Sequence, residues 1–311
     1  MESVLITGGT GLVGKALTQQ LIKKGYQVII LTRKLPAGNQ HQPNIDYALW
    51  NVKEKTIDQK AIQKADHIIH LAGAGVVDKR WSNRYKKEIV ESRTQSSALL
   101  IDAMGQHENK IKTLVSASAI GWYGADDNAS LNGNGFTESA PAANNFLGET
   151  CRLWEASVEP ARQLGKRVVK LRTGIVLSND GGALAEFRKP LKFGIAGILS
   201  KGKQVVSWIH IDDLCRMYIE ALRNEQMNDT YNAVAPAPVS NKILTLQLAS
   251  LIKGKSFIPV HVPAFLLKMI LGESSIEVLK SCTVSCEKIK QAGFTFLYPS
   301  IEAALAQLCN K

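Results

Sequence analysis

Short apolar runs alternate along the chain with longer segments whose apolar residues recur every three or four positions. Residues 4–6 and 28–31 are continuous apolar runs that predict two buried strands. Between them, Leu17 and Leu21 lie on one face of a predicted helix, which Gly25 ends. The chain therefore opens with a strand–helix–strand unit.

The same alternation continues to residue 171. We predict further strands at 46–50, 67–73, 112–116 and 167–171, and helices at 58–64 and 85–105. Short β-branched strands that alternate with helices are typical of α/β proteins. The predicted fold class is therefore α/β, a Rossmann-type doubly wound parallel sheet. Its strands should end at one edge, where such folds bind ligands.

After Leu177, turn residues and glycines become more frequent, and apolar residues near the end recur at helical spacing. We predict a nucleotide-binding domain at 1–177, to which a strand and a helix return from 203–234. A smaller C-terminal substrate lobe is expected at 178–311, including a C-terminal domain at 259–309.

A glycine-rich turn stands between the first predicted strand and its helix. Glycines there let the backbone turn tightly and approach a phosphate, and the first N–H groups of the helix face an anion. The order strand, glycine turn, helix predicts a dinucleotide pyrophosphate site, with an ordinary strand–helix turn as the alternative. Gly14 would let the helix pack closely on its strand. The candidate cofactor-binding residues are Thr7, Gly8, Gly9, Thr10, Gly11, Leu12 and Val13.

The end of the second strand predicts which dinucleotide binds. NAD-specific sites usually carry an acidic residue about 20 positions after the glycines. No Asp or Glu occurs between Glu2 and Asp46, and the strand ends in Arg33 and Lys34. Two cations suit the 2′-phosphate of NADP, which arginine can bind through two N–H groups. A solvated basic loop is the alternative reading.

Composition narrows the function classes. The chain has 311 residues and a net charge of +11, but its cations are spread along its length without a basic, aromatic-interleaved motif. We therefore predict a small-molecule substrate rather than nucleic acid. The five cysteines form no Cys-x-x-Cys pair, so no metal site is expected. The early first strand and the lack of a long apolar run predict a soluble cytoplasmic protein without membrane contact. Its long helices could pair in a homodimer.

Several motifs together resemble the extended short-chain dehydrogenase/reductases, which include nucleotide-sugar epimerases. The chain is most similar to their atypical, uncharacterised NAD(P)-binding "epimerase family" branch with a small C-terminal domain. The shared motifs, which span nearly the whole chain, are Thr7-Gly8-x-x-Gly11-x-x-Gly14, Leu71-Ala72-Gly73, Arg80-Trp81, Ser92-Arg93, Ser116-Ala117-Ser118, Tyr123-Gly124, Trp154-Glu155, Leu171-Arg172-Thr173-Gly174, Ser207-Trp208-Ile209-His210, Val262-Pro263-Ala264-Phe265 and Ala292-Gly293-Phe294.

The resemblance implies a Tyr-x-x-x-Lys pair, in which the lysine lowers the pKa of a tyrosine that exchanges a proton with substrate. At the matching positions this chain has Phe146 and Thr150, and no tyrosine is followed by lysine four residues later. Phenylalanine cannot transfer a proton. The sequence therefore departs from the usual mechanism.

The remaining catalytic candidates are Ser118, which matches the hydroxyl of the family, and Tyr123, a substitute acid. A backbone-capping serine and a buried structural tyrosine are the alternatives. We expect Glu155 to be an exposed carboxylate. His210, Asp212 and Asp213 are expected to form a helix N-cap with a satisfied histidine, with a catalytic relay as the alternative. Further candidates for cofactor contact are Leu71, Ala72, Gly73, Arg93, Ser116 and Arg172, although the two arginines equally suit ordinary salt bridges.

Two functions remain open. One is an NADP-dependent (NADPH-using) oxidoreductase or epimerase that acts on a small polar or nucleotide-linked substrate. The other is an NADP-binding sensor or interaction protein with little or no catalysis, because a fold can keep its nucleotide site after losing its proton-transfer pair.

Overall fold

The computed structural model describes residues 1–36, 42–128, 130, 133 and 135–309. The strands are β1 Ser3–Thr7, β2 Gln27–Thr32, β3 Ile45–Asn51, β4 Thr56–Ile57, β5 His67–His70, β6 Thr113–Ala119, β7 Arg167–Thr173, β8 Ile175–Ser178, β9 Gly181–Gly182, β10 Ile195–Leu199, β11 Val205–Val206, β12 Trp208–His210, β13 Thr230–Ala233, β14 Val239–Ser240 and β15 Ile258–Val262.

The α-helices are α1 Leu12–Lys23, α2 Gln59–Lys64, α3 Asn83–Gln106, α4 Phe146–Val158, α5 Ala183–Leu191, α6 Ile211–Arg223, α7 Asn241–Lys253, α8 Ala264–Leu271, α9 Ser275–Leu279, α10 Glu287–Gln291 and α11 Ile301–Cys309. Short 3-10 turns cover Ile120–Trp122, Glu159–Leu164 and Gly272–Ser274.

Eight strands form the main sheet in the order β13-β7-β6-β5-β1-β2-β3-β4. All neighbours are parallel except β3 and β4, which form a short antiparallel pair. Because β1 lies between β2 and β5, the turn after β1 lies at the centre of the carboxyl edge. The predicted α/β fold with a doubly wound parallel sheet is confirmed.

Helices cover both faces of the sheet. Leu17 and Leu21 of α1 pack with α6 into one apolar core, while Leu100 and Met104 of α3 pack with α2 into the core on the other face. Parallel strands buried on both faces read as continuous apolar runs, which is why residues 4–6 and 28–31 have no polar alternation.

A third apolar core lies outside the sheet, where α5, α7 and α11 pack around Trp208 of β12. The strand β13, which pairs with β7, comes from the segment predicted to return to the sheet. The division of the chain at residue 177 stays a prediction. Among the residues that the structure describes, no helix combines the length and the apolar character that a bilayer crossing needs.

Helix α8 has the predicted helical spacing, but three of its apolar residues face solvent. Leu267 is buried, whereas Phe265, Met269 and Ile270 are 71%, 62% and 58% exposed. Its carboxyl end contacts the segment after β5, because Arg80 donates from Nε to the Ile270 carbonyl at 3.0 Å.

Candidate functional site

A glycine in the turn after β1 and a glycine at the start of α1 both lack room for a side chain. Gly8 has φ +70°, and a Cβ there would lie 2.9 Å from the carbonyl carbon of Leu71. A Cβ on Gly14 would lie 2.3 Å from the Gly8 oxygen. Gly11 closes the turn by donating its N–H to the Gly8 carbonyl at 3.0 Å. The turn therefore holds α1 directly against the end of the sheet, as the sequence predicts.

Helix α1 starts at this turn without a side-chain cap. Its N-cap residue is Gly11, and no acidic residue occurs in its first turn. The first N–H groups of a helix need partners from outside it, and together with the helix dipole they favour an anion. The cradle formed by Gly8, Gly11 and the start of α1 thus has the geometry of a phosphate site.

Thr7 fixes the neighbouring strand end. Its Oγ1 accepts hydrogen bonds from the N–H groups of Leu71 and Ala72, each at 3.1 Å, and lies 2.7 Å from Nδ1 of His70. His70 also contacts the Ser97 hydroxyl at 3.1 Å. Complete burial lowers the pKa of His70 to about 4, so the imidazole is neutral at pH 7. This neutral network aligns β5 with the glycine turn.

The end of β2 presents the two predicted cations to solvent. Arg33 and Lys34 are exposed, and within the described residues neither forms an ion pair. The Thr32 hydroxyl donates to the Lys34 carbonyl at 2.9 Å, which bends the chain at the sheet edge. No carboxylate precedes Asp46 in this region. The geometry leaves both cations available to a ligand.

A buried ion pair lies under the end of β6. Arg172 of β7 donates from Nε and Nη2 to the two carboxylate oxygens of Glu155, at 2.8 and 3.0 Å. Ser118 donates its hydroxyl to the same carboxylate at 2.6 Å. The expectation that Glu155 is exposed is wrong, because it is only 6% exposed. A buried carboxylate needs such a bidentate partner.

Tyr123 belongs to the same network. Its hydroxyl donates to Asn232 Oδ1 at 2.7 Å and accepts from Arg172 Nη1 at 2.9 Å. Asn232 in turn donates its backbone N–H to the Glu138 carboxylate at 2.7 Å. Burial raises the pKa of Tyr123 to about 12 and also raises the pKa of Glu138. The hydroxyl is therefore held protonated inside the core.

Phe146 and Thr150, which occupy the positions of the usual tyrosine and lysine, lie in the first turns of helix α4. Asn145 caps the helix, and the Phe146 ring packs edge-to-face on Trp81 with centroids 4.9 Å apart. The Thr150 hydroxyl donates to the Phe146 carbonyl at 2.7 Å. Lys86 of α3 lies 5.4 Å from the centre of the Phe146 ring and pairs with Glu273. An apolar, cation-covered ring thus stands where the resemblance implies an acid.

The other predicted residues lie along the same edge of the sheet. Leu71, Ala72 and Gly73 extend β5 beyond the glycine turn, and the buried Ser116 donates its hydroxyl to the Ala117 carbonyl at 3.0 Å. Arg93 lies beneath Gly73, at 3.1 Å from Cζ to the site of an added Cβ. The contacts of all these residues with a cofactor stay predictions.

Asn232 is a site residue that the sequence does not predict, and Glu155 lies in a different environment from the predicted one. A signal for Glu155 was present, since Cys151, Glu155 and Val158 share the buried side of α4. The N-cap reading of His210 is confirmed, because its Nδ1 accepts from the Asp212 N–H at 3.1 Å.

Within the described ranges, no three or more histidine, cysteine, aspartate or glutamate side chains are grouped as metal ligands would be, and whether the protein binds a metal stays a prediction. Four of the cysteines are buried: Cys151, Cys215, Cys282 and Cys286. Burial raises the pKa of Cys151 and of Cys282 to about 12, and it also raises the pKa of the other two.

The chain is similar to proteins of plants and bacteria and to a human protein of known structure. It is 34% identical over 305 residues to a chloroplastic SDR39U1 homolog of Arabidopsis thaliana, an epimerase family protein, covering 97% of this chain and 85% of the relative. It is 35% identical to an epimerase family protein of Staphylococcus aureus, with both chains fully covered. The crystal structure of human epimerase family protein SDR39U1 (isoform 2) with NADPH is 26% identical, with a TM-score of 0.84 and 99% of both chains covered.

Family models match nearly the whole chain. A domain of unknown function, DUF1731, matches residues 262–308, which contain α8 to α10 and nearly all of α11. The NAD dependent epimerase/dehydratase family matches residues 4–233, from β1 to the last strand of the main sheet. The resemblance to an extended short-chain dehydrogenase/reductase of the epimerase branch is confirmed, and the chain belongs to the NAD dependent epimerase/dehydratase family.

Proposed function

We propose that this chain binds NADP(H) and acts as an oxidoreductase or epimerase on a small polar or nucleotide-linked substrate. The observation that carries the proposal is the uncapped start of α1, where Gly8 in the preceding turn and Gly14 in the first turn of the helix have no space for a Cβ. Backbone N–H groups at such a turn bind a pyrophosphate. The residues present therefore fit a dinucleotide.

The choice of NADP over NAD rests on the end of β2. Arg33 and Lys34 are exposed there without an ion pair in the described part of the chain, and no carboxylate is available for a ribose 2′-hydroxyl. A guanidinium binds a phosphate through two parallel hydrogen bonds. The NADPH in the crystal structure of the human relative supports the same choice.

A bound nicotinamide would supply hydride transfer, so the protein needs to position a substrate and exchange a proton. Both predicted hydroxyls, on Ser118 and Tyr123, are buried, and they differ in the hydrogen bonds that they already form. The proton of Ser118 goes to Glu155, which leaves the serine oxygen able to accept a hydrogen bond from a substrate hydroxyl. The Tyr123 hydroxyl donates to Asn232 and accepts from Arg172, and both partners are buried, so we assign Tyr123 to holding Arg172 in place. We propose Ser118 for substrate orientation.

The competing proposal is an NADP-binding sensor that does not turn over. It is favoured because neither position 146 nor position 150 carries a group that can exchange a proton with a substrate. Phe146 is apolar, and the Thr150 hydroxyl donates its hydrogen to a carbonyl of its own helix. The two functions differ in one measurement. Oxidation of NADPH with a panel of carbonyl compounds and nucleotide sugars supports the enzyme, whereas tight NADPH binding without any turnover supports the sensor.

Calorimetry with NADPH and NADH tests the cofactor. We expect NADPH to bind at least tenfold more tightly, and Arg33→Ala to weaken NADPH alone by roughly 10- to 100-fold, as expected for a charge-assisted hydrogen bond. Arg223→Ala is the matched control, because this exposed arginine lies beside Glu2 and Tyr26 at the opposite edge of the sheet. Equal affinity for both nucleotides contradicts the NADP assignment, and binding of neither contradicts the proposed function.

A further inference from the structure

Two segments in the C-terminal half of the chain concentrate its positive charge. Residues 187–211 and 230–272 contain no Asp or Glu, but they contain eight lysines and one arginine. The whole chain has a net charge of +11, so most of the excess of positive charge lies in these two segments. Charge of a single sign attracts an anionic partner and disfavours contact with a second, equally charged copy of the chain.

The two segments meet at one end of the third apolar core, where α5 and α7 end and β10 and β15 begin. The Ile258 N–H donates to the Gly194 carbonyl at 2.8 Å, which joins the start of one strand to the start of the other. Leu191, at the end of α5, is buried in the core beneath this contact. We call residues 189–195 and 251–258 the lobe tip. Its backbone is held in place by contacts within the protein.

Large apolar side chains of the lobe tip are exposed to solvent. Phe193 is 84% exposed, Ile258 is 69% exposed and Ile195 is 39% exposed. Ile195 and Ile258 are partners in the register of β10 and β15, so their side chains lie on the same face of this two-stranded sheet. Leu251 and Ile252, in the last turn of α7, are also exposed. The lobe tip therefore presents an apolar surface to the outside of the protein.

Lysines accompany these apolar side chains. Lys192 and Lys255 are exposed and Lys253 is half-buried, and in the described part of the chain none of the three forms an ion pair. Lys189 pairs with Glu186, the acidic residue just before this stretch.

The choice of lysine over arginine helps to identify the partner. The core of a protein–protein interface is depleted in lysine and enriched in arginine. An anionic lipid surface attracts lysine as well as arginine, and a lysine can lay its apolar stem along the membrane boundary while its ammonium group stays in water. Exposed apolar side chains among lysines therefore favour a lipid surface over an acidic protein.

We propose that the lobe tip docks the protein onto a membrane surface that contains anionic phospholipid. Phe193 and Ile258 enter the boundary between the headgroups and the acyl chains, and Lys192 and Lys255 lie against the lipid phosphates. The sequence predicts no membrane contact because the chain has no long apolar run, but a contact at the membrane surface does not need one. The inference is independent of the proposed function.

Co-sedimentation of the full chain with lipid vesicles tests the electrostatic part of the contact. We expect binding to vesicles of phosphatidylcholine mixed with phosphatidylglycerol, and binding weaker by roughly tenfold or more to phosphatidylcholine alone. The double variant Lys192→Gln, Lys255→Gln should bind the mixed vesicles about 30-fold more weakly, at about fivefold for each lysine. The matched control is Lys60→Gln, Lys64→Gln, which removes the same charge from exposed positions of α2. At physiological salt its affinity should stay within about twofold of that of the unsubstituted protein.

Position 193 tests the apolar part of the contact. Phe193→Ala should weaken binding to the mixed vesicles by roughly tenfold, because a large apolar side chain no longer leaves water. Phe193→Trp should bind at least as tightly as the unsubstituted protein, since tryptophan is favoured at the membrane interface. The ring is 84% exposed, so both variants should keep the Tm of the unsubstituted protein.

Several results overturn the inference. The unsubstituted protein may fail to bind the mixed vesicles, or it binds both kinds of vesicle equally. The lysine double variant and its α2 control bind the mixed vesicles equally well. Phe193→Ala binds as tightly as Phe193→Trp, and the protein binds poly-glutamate as tightly as the mixed vesicles, which assigns the lobe tip to an acidic protein. A dimer in analytical ultracentrifugation that Phe193→Ala dissociates assigns it to a second copy of the chain. NADPH binding is measured separately, so the proposed function stands or fails on its own test.

Discussion

At the scale of single residues, two positions with positive φ show two separate reasons for a glycine: the backbone conformation and the lack of room for a Cβ. Gly8 and Gly25 flank α1 with φ +70° and +84°. A Cβ on Gly8 would collide with the backbone of Leu71, whereas a Cβ on Gly25 would meet nothing within 4 Å. The two positions therefore separate the cost of a left-handed backbone from the cost of a steric clash.

We predict that Gly25→Ala lowers the free energy of unfolding by about 1–2 kcal/mol, which is the conformational cost alone. Gly8→Ala should lower it by about 1–3 kcal/mol more, because the methyl group must displace the end of β5. Urea denaturation of both variants measures the difference, and calorimetry should find NADPH binding lost only in Gly8→Ala. Equal destabilisation of the two variants would show that the close approach to Leu71 is not needed.

At the scale of elements, α3 and α4 together build the region beside the sheet edge. The Phe146 ring at the start of α4 packs on Trp81, which precedes α3, and Lys86 of α3 lies close to both rings. Edge-to-face aromatic contacts stabilise a pair by about 0.5–1.5 kcal/mol beyond the area they bury. The contacts of Phe146 thus indicate a structural role for the residue at the position of the usual tyrosine.

Phe146→Ala should therefore destabilise the protein by roughly 1–3 kcal/mol, less than a fully buried phenylalanine because the ring is only half-buried. Its NADPH affinity should stay within twofold, measured by thermal unfolding and calorimetry on the same sample. Phe193→Ala is the control, since that ring is 84% exposed and its loss should change stability little. A large loss of affinity or turnover in a fully folded Phe146→Ala would instead assign the ring to substrate shape.

These elements also show how far the sequence determines the structure. The main strands and helices follow from local apolar spacing, and each predicted segment occurs within a few residues of its predicted bounds. Glu155 could not be paired from sequence, because its partner Arg172 lies on β7 and only the packing of α4 brings the two together. In α8 the spacing predicts a helix, but it does not say that Phe265 and Met269 face outward. The spacing of apolar residues identifies the apolar face of a helix, but it does not identify what that face packs against.

At the scale of the whole molecule, buried histidines link the fold to pH. Burial lowers the pKa of His67, His70 and His210. The pKa of His70 falls to about 4. Between that value and the ordinary value of about 6.5, the unfolded chain binds a proton that the folded chain does not. Stability contributed by the neutral His70 is thus present above pH 6.5 and is lost as the pH falls towards 4.

We predict that the free energy of unfolding decreases from pH 6.5 to 4.5, with a full contribution from His70 on the order of 3 kcal/mol by pH 4. His70→Gln should flatten this part of the profile, although it also lowers stability at pH 7 through the lost contact with Thr7. Denaturant titrations at half-unit pH intervals provide the measurement. An identical slope in the variant would remove His70 from the pH response.

The four buried cysteines give this protein a built-in reporter of its own opening. An alkylating reagent attacks the thiolate, and Cys151 is both shielded from solvent and held as the thiol. It can be labelled only when α4 separates from α3 and the sheet, while the partly exposed Cys309 reacts from the folded state and serves as an internal reference. A small molecule that binds the closed arrangement of α4 should slow the labelling of Cys151, so candidate substrates can be screened by their protection of this sulfur atom before any reaction is known.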